Sequence, residues 1–181
     1  MTATNTFVAL LRGVNVGGKN LIPMAELRAL LSSLGFEEVE TYIQSGNVVF
    51  RSPAGDADDL SARIEREIAS VFGIAPAVLL RTPTELEAIA GRNPYLGEAN
   101  LSKLHVAFLD QSPAASVAAE LDPGRSPPDE FTLSGREIYL HFPNGAGRSK
   151  LTIDYFERTL GVRATARNWN TLLKLLALCR R

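Results

Sequence analysis

The sequence predicts an α+β protein: two ferredoxin-like units in tandem, each ordered β-α-β-β-α-β, with a connecting helix and a C-terminal helix. Three observations lead there. Short apolar runs bounded by glycine or proline alternate with segments whose apolar residues recur at helical spacing. Two Ser-Gly turns, Ser45-Gly46 and Ser134-Gly135, each separate a pair of strand-like segments. Finally, Phe72-Gly73-Ile74 and Leu160-Gly161-Val162 form matched helix ends with Glu65-Arg66 and Glu157-Arg158 upstream, so the second half reads as a drifted copy of the first.

Residues 7–11 are a continuous apolar run, which suits a buried strand. Pro23 then stands where a first helical residue belongs, followed by Met24, Leu27, Leu30, Leu31 and Leu34 on one stripe, and Gly35 closes the helix. Val39, Thr41 and Ile43 alternate with polar neighbours, and residues 48–50 form a further strand beyond the turn Gln44-Ser45-Gly46-Asn47. After the break at 53–56, Leu60, Ile64, Ile68, Val71 and Phe72 mark an amphipathic helix ended by Gly73, and 77–80 is the last strand of the first unit. The second half offers a strand at 105–109, a helix at 113–121, a Pro/Gly loop at 122–128 and strands at 131–133 and 137–142. A helix at 151–160 and a strand at 162–166 complete it. A connecting helix at 84–90 and a terminal helix at 169–178, with Leu172, Leu173, Leu176 and Ala177 as its stripe, lie outside the repeat. The expected division is 1–82 for the first unit and 83–181 for the connecting helix, second unit and terminal helix.

The chain has 181 residues, 45% hydrophobic and 22% charged, with a formal net charge of −1. That balance argues against a protein that coats nucleic acid by bulk electrostatics. A single cysteine, Cys179, excludes an intrachain disulfide framework and makes a poor metal site. The opening residues lack the pattern of a signal peptide, and no stretch approaches the ~20 apolar residues of a membrane span. The expectation is a cytoplasmic protein with no membrane association.

Chemistry-bearing residues concentrate in loops. The first strand runs into Arg12-Gly13-Val14-Asn15-Val16-Gly17-Gly18-Lys19-Asn20, where glycine lets backbone N–H groups turn toward a ligand and two cations supply charge. The glycine spacing fits neither a P-loop nor a dinucleotide fingerprint. A tight strand-to-helix turn would account for the glycines, but it requires neither Arg12 nor Lys19. Arg148-Ser149-Lys150, preceded by Asn144-Gly145-Ala146-Gly147 and followed by a helix, stands where helical N–H groups favour anions. Capping by Ser149 or Thr152 with solvated cations is the alternative, and the repeat of the first loop's composition tips the balance toward binding. Arg167-Asn168-Trp169-Asn170-Thr171 contains a helix cap in Asn168 or Asn170, and Trp169 reads as core.

The first loop, Tyr42-Ile43-Gln44-Ser45-Gly46-Asn47-Val48, Gly147-Arg148-Ser149-Lys150-Leu151 and Thr165-Ala166-Arg167-Asn168-Trp169-Asn170-Thr171 occur in one chain. Together they resemble the bacterial family catalogued as domain of unknown function 1697 (DUF1697), from about Thr6 to about Leu176. The resemblance implies two ferredoxin-like units within one such domain. It implies no activity.

No reaction type follows from these residues. His105 and His141 lie inside apolar runs and read as structural; Ser45 has no nucleophile elbow around it. Glu37, Glu38 and Glu40 read as a solvated cluster, and no residue set has the pattern of a metal or acid–base site. The leading expectation is binding of a small phosphate- or carboxylate-bearing ligand in a cleft between the two units. Its candidate residues are Arg12, Gly13, Asn15, Gly17, Gly18, Lys19, Asn47, Arg148, Ser149, Lys150, Arg167 and Asn168. No cofactor is indicated, and oligomeric state is left open. The alternatives are a nucleic-acid-binding module, with Tyr42 and Tyr139 as the stacking candidates, and a self-associating structural domain.

Overall fold

The computed structural model describes residues 4–53 and 55–181. Among them are two four-stranded antiparallel sheets and six α-helices, an α+β architecture. The first half contributes β1 (Thr4–Leu11), α1 (Met24–Ser33), β2 (Glu37–Tyr42), β3 (Asn47–Pro53), α2 (Ala57–Phe72) and β4 (Val78–Arg81). After α3 (Pro83–Gly91) come β5 (Leu104–Leu109), α4 (Ala115–Ala118), β6 (Glu130–Ser134), β7 (Glu137–His141), α5 (Ile153–Leu160), β8 (Ala164–Asn168) and α6 (Trp169–Cys179). Strand order is β2-β3-β1-β4 in one sheet and β6-β7-β5-β8 in the other. The chain divides into two compact units, Met1–Glu87 with Leu175–Arg181, and Ala88–Lys174.

In the first unit, period-2 alternation sends Phe7, Ala9 and Leu11 of β1, Val48 and Phe50 of β3, and Val78 and Leu80 of β4 to the face covered by α1 and α2. Leu27, Leu31, Ile64 and Ile68 close this core, with Phe36 stacked on Phe50 at 4.6 Å. In the second unit Ala107, Leu109, Ile138, Leu140 and Ala164 meet Phe156 and Leu160 of α5. The opposite faces are buried too: Val8, Leu10, Val106, Phe108 and Tyr139 are all at most 2% exposed.

The two units repeat several contacts. Gly73 and Gly161 end α2 and α5 in the left-handed region, at φ 68° and 66°. Glu65 of α2 accepts from Val78 N (2.8 Å) at the start of β4, and Glu157 of α5 accepts from Ala164 N (2.9 Å) at the start of β8. Leu11 N donates to Gly46 O (2.9 Å) and Arg12 N to Ala77 O (2.9 Å). In the second unit Leu109 N donates to Arg136 O (2.8 Å) and Asp110 N to Arg163 O (3.0 Å). Each last strand also buries an arginine at the same register position, Arg81 opposite Val8 and Arg167 opposite Val106.

Several element boundaries differ from those the sequence predicts, and so does the buried stripe of α6. The helix expected at 113–121 is a single turn, because its Ala-rich stretch carries few large side chains to hold a longer helix against the sheet. Helix α5 starts at Ile153, since Thr152 Oγ1 accepts from Tyr155 N (3.2 Å) and sets the N-cap there. On α6 the buried stripe is Leu172, Leu175, Leu176 and Leu178, with Leu173 and Ala177 exposed.

The two hairpin glycines separate close packing from backbone strain. Gly46 (φ 74°) and Gly135 (φ 59°) both need the left-handed region, but a Cβ on Gly46 would lie 2.7 Å from Leu11 Cβ, whereas nothing lies within 4 Å of one on Gly135. Gly135→Ala is expected to cost about 1–2 kcal/mol for backbone strain alone. Gly46→Ala is expected to cost about 1–3 kcal/mol more, from overpacking against β1. Urea denaturation of both variants checks this, and equal losses would refute it.

Candidate functional site

Each predicted site residue has a definite place. After β1 the chain forms a small hairpin in which Asn15 N donates to Asn20 O (3.1 Å), Lys19 N donates to Val16 O (3.0 Å), and Val16 bridges Lys19. Gly17 (φ 58°) and Gly18 (φ 71°) occupy its two central positions, the geometry of a type I′ turn. Asn15, itself at φ 56°, is the clamp of this loop. Its Oδ1 accepts from Ile22 N (2.8 Å), and its Nδ2 donates to Ile22 O (2.9 Å) and Gln44 O (2.7 Å). Asn20 Nδ2 donates to Gly13 O (3.0 Å). Asn47 is fully buried and donates to Tyr42 O (3.1 Å) and Ser45 Oγ (2.9 Å). The amides of Asn15 and Asn47 thus hold loop shape. Arg12 is half-buried, and Lys19 stands exposed at the hairpin.

In the second unit, Arg148 ends a 3₁₀ turn (Ala146–Arg148), four residues before the N-cap of α5. Ser149 Oγ accepts from Leu151 N (3.1 Å), and Lys150 N donates to Ser126 Oγ (3.0 Å), so the segment is tied to the 122–128 loop. Arg125 reinforces that tie, donating to Lys150 O (2.9 Å) with its guanidinium 3.9 Å from the centre of the Tyr155 ring. Asn168 Oδ1 accepts from Asn170 N (2.9 Å), and its Nδ2 donates to Ser102 O (2.9 Å). Arg167 is buried and donates to Thr165 Oγ1 (2.7 Å) and Ala166 O (2.8 Å); burial lowers its pKa to about 10. Trp169 is buried, and so is Tyr139, whose hydroxyl donates to Ile89 O (2.8 Å). Burial pushes that hydroxyl up to about 12, and the ring is closed to a stacking base.

The sequence reading missed a cluster on His141. This residue pairs with Glu130 across β6 and β7, and its Nδ1 lies 3.0 Å from Glu130 Oε2. Its Nε2 lies 2.9 Å from Glu98 Oε2. The Tyr95 ring sits 5.7 Å from the imidazole, and its hydroxyl bonds Thr132 Oγ1 (2.8 Å). Carboxylates only accept, so satisfying both bonds requires both ring nitrogens to donate, which is the imidazolium. Burial pulls the His141 pKa down, but hydrogen bonds and charge from Glu130 and Glu98 outweigh it and leave the pKa raised. The Glu98 pKa is lowered, first by a backbone hydrogen bond from Asn100 and then by His141. His105 is the opposite case: burial lowers its pKa, its Nδ1 is buried with no hydrogen-bond partner among the described residues, and the Phe142 ring lies 5.1 Å away. Glu98, Glu130 and His141 are 43 and 11 residues apart in pairs, so no local spacing announces the cluster.

A second feature is a cavity of about 200 Å³ in the first unit, between β2 and β3 and the end of α6. It is lined by Glu38, Glu40, Arg51 and Arg181 among others. Among the described residues, no group of three His, Cys, Asp or Glu side chains could hold a metal ion, and no helix is long and apolar enough to cross a membrane.

A family described as Protein of unknown function (DUF1697) matches residues 4–139. The chain belongs to this family. A solved structure, that of the conserved bacterial protein SP0830 from Streptococcus pneumoniae, is similar at 25% identity and a TM-score of 0.75, covering 99% of this chain and 100% of the other. No curated protein matches. DUF1697 membership brings no assigned activity or ligand.

The His141 cluster has a defined pH dependence. A raised folded pKa contributes stability that is fully present below the unfolded value of about 6.5 and is lost as pH rises through the folded pKa. The stability difference between the native protein and His141→Gln should therefore shrink as pH is raised from 6 to 9. NMR titration should place His141 above and His105 below the ordinary imidazole value; the reverse order would contradict the cluster.

Proposed function

We propose that the protein binds a small phosphate- or carboxylate-bearing ligand through cations carried on its loops, and that its two units are ferredoxin-like copies of one another. The repeated strand order, the paired Glu65 and Glu157 contacts and the matched Arg81 and Arg167 positions support the second part.

One observation carries the binding reading. Among the described residues the side chains of Lys19, Arg148 and Lys150 have no hydrogen-bond or ion-pair partner, although the loops that carry them are fixed by many bonds. Lys19 adjoins Gly17 and Gly18, the central pair of a type I′ turn. Successive turn N–H groups beside a lysine make an anion-accepting surface. Asn15 serves this reading by holding the hairpin, and Ser149 by holding the second loop. A nucleic-acid module is disfavoured, because burial of Tyr139 leaves Tyr42 as the remaining stacking candidate.

Thermal-shift measurements with inorganic phosphate, pyrophosphate and citrate test the proposal. A ligand that binds only the folded state stabilises it by about 2.7 kcal/mol at a hundredfold excess over Kd, and Tm should rise accordingly. The shift should fall in Lys19→Ala or in the double variant Arg148→Ala/Lys150→Ala. No shift with any of the three anions, or an undiminished shift in both variants, would refute it.

A further inference from the structure

The cavity of the first unit is walled by charge of both signs over an apolar floor. Arg51 Nη1 meets Glu38 Oε1 at 3.1 Å, and Arg181 Nη1 meets Glu40 Oε1 at 3.5 Å. Val49 of β3 and Leu178 of α6 are both buried and contribute to the lining, as does the Cys179 thiol. The two arginines and two glutamates cancel in charge.

The edge strand is distorted where the cavity forms. Pairing of β2 with β3 slips between Glu37 and Glu40, and Glu38 within the slip has φ 50°, a left-handed conformation that a non-glycine residue rarely adopts. Such a bulge re-aims a side chain, and bulges are over-represented beside functional sites. Here the strand turns Glu38 onto Arg51, whose Nη2 is further held by Thr4 Oγ1 at 2.8 Å. Ser52, next in β3, is buried, so the strand itself is fixed beneath the pairs.

The geometry points to a second binding site, in this cavity, for a small zwitterion: a molecule carrying a carboxylate and an ammonium group on a short apolar frame, as a small α-amino acid does. A dianion would meet Glu38 and Glu40, and a dication would meet Arg51 and Arg181, so either leaves like charges facing each other. A zwitterion satisfies both walls at once. Its carboxylate suits a guanidinium, which can donate two parallel hydrogen bonds. Its ammonium suits a glutamate, and its short apolar part suits Val49 and Leu178. The volume equals about six or seven waters at ~30 Å³ each, enough for an amino acid with a small side chain. Both ion pairs are substantially solvent-exposed, with side chains 41–67% accessible, and exposed pairs are held weakly, so exchange of partners with a ligand is easy. This site is independent of the loop cations proposed above.

Cys179 is the protein's single cysteine and reports on the cavity directly. Burial and the nearby Glu87 raise its pKa to about 11, so alkylation is measured at pH 9 with iodoacetamide and followed by intact mass. Glycine, L-alanine and L-valine are compared with isovalerate, which lacks the ammonium, and isobutylamine, which lacks the carboxylate. At least one amino acid should slow alkylation by about threefold once its concentration is twice Kd, while isovalerate and isobutylamine at equal concentration should not. Protection should disappear in Arg51→Ala and in Glu40→Ala, each checked for folding by circular dichroism; the two substitutions remove different ion pairs, so either one alone tests the site. The assignment is overturned if none of the amino acids slows alkylation, if isovalerate or isobutylamine protects as well as its parent amino acid, or if a folded variant retains full protection.

Discussion

In each unit the first strand lies inside its sheet with both faces buried, and a strand so placed leaves little room for charge or open space. β1 is flanked by β3 and β4, and β5 by β7 and β8. Val8, Ala9 and Leu10 are fully buried, as are Val106, Ala107 and Phe108. Every backbone N–H and C=O there must pair within the sheet, since an unpaired buried group is costly. Polar chemistry is therefore displaced to strand ends, turns and sheet edges. The Asn15 hairpin begins where β1 ends, His141 is the last residue of β7, and the charged cavity lies along edge strand β2.

The buried arginines show how far that constraint bends. Arg81 ends β4 and Arg167 lies within β8, opposite Val8 and Val106, where a hydrophobic residue would pack without desolvating a charge. Burial alone accounts for the lowered pKa of Arg167. Even at about 10 that guanidinium is charged at neutral pH, so the protein carries the desolvation cost and compensates it with oxygens, among them Thr165 Oγ1 and the Ala166 carbonyl. The same placement in both units argues that the arginine belongs to the shared architecture. The position after each first strand behaves differently: Arg12 and Asp110 make the same backbone bond but carry opposite charge, so the units differ where the backbone alone sets the contact.

The legible part of this fold is the part governed by local periodicity. α2 and its cap Gly73 follow from a stripe of Leu60, Ile64 and Ile68 ending at a glycine, and the hairpins follow from their Ser-Gly turns. The anchoring of loops was less legible. Asn15 reads in sequence as a hydrogen-bonding group offered to a ligand, yet it satisfies Ile22 on both its N–H and its C=O, a pairing seven residues away, and reaches Gln44 twenty-nine residues away. His141 reads as a core histidine because its neighbours in sequence are apolar, but alternation sends it away from Leu140, toward Glu98 and Glu130. Side-chain partners from distant segments have no local signature, and most of the site chemistry here is of that kind.

Glu37, Glu38 and Glu40 illustrate the same limit on an edge strand. In sequence they are a solvated acidic run, a common device against edge-to-edge pairing. In the fold the run is also bulged, and the bulge does two things at once. It interrupts the regular row of exposed backbone groups that another strand would need, and it turns Glu38 onto Arg51 at the mouth of the cavity. Negative charge alone would protect the edge without a left-handed glutamate, which costs about 1–2 kcal/mol of backbone strain. Edge protection therefore explains the composition of β2 but not its conformation. The conformation brings Glu38 to Arg51, which Thr4 of β1 also holds, and that exposed pair, weak on its own, offsets only part of the strain.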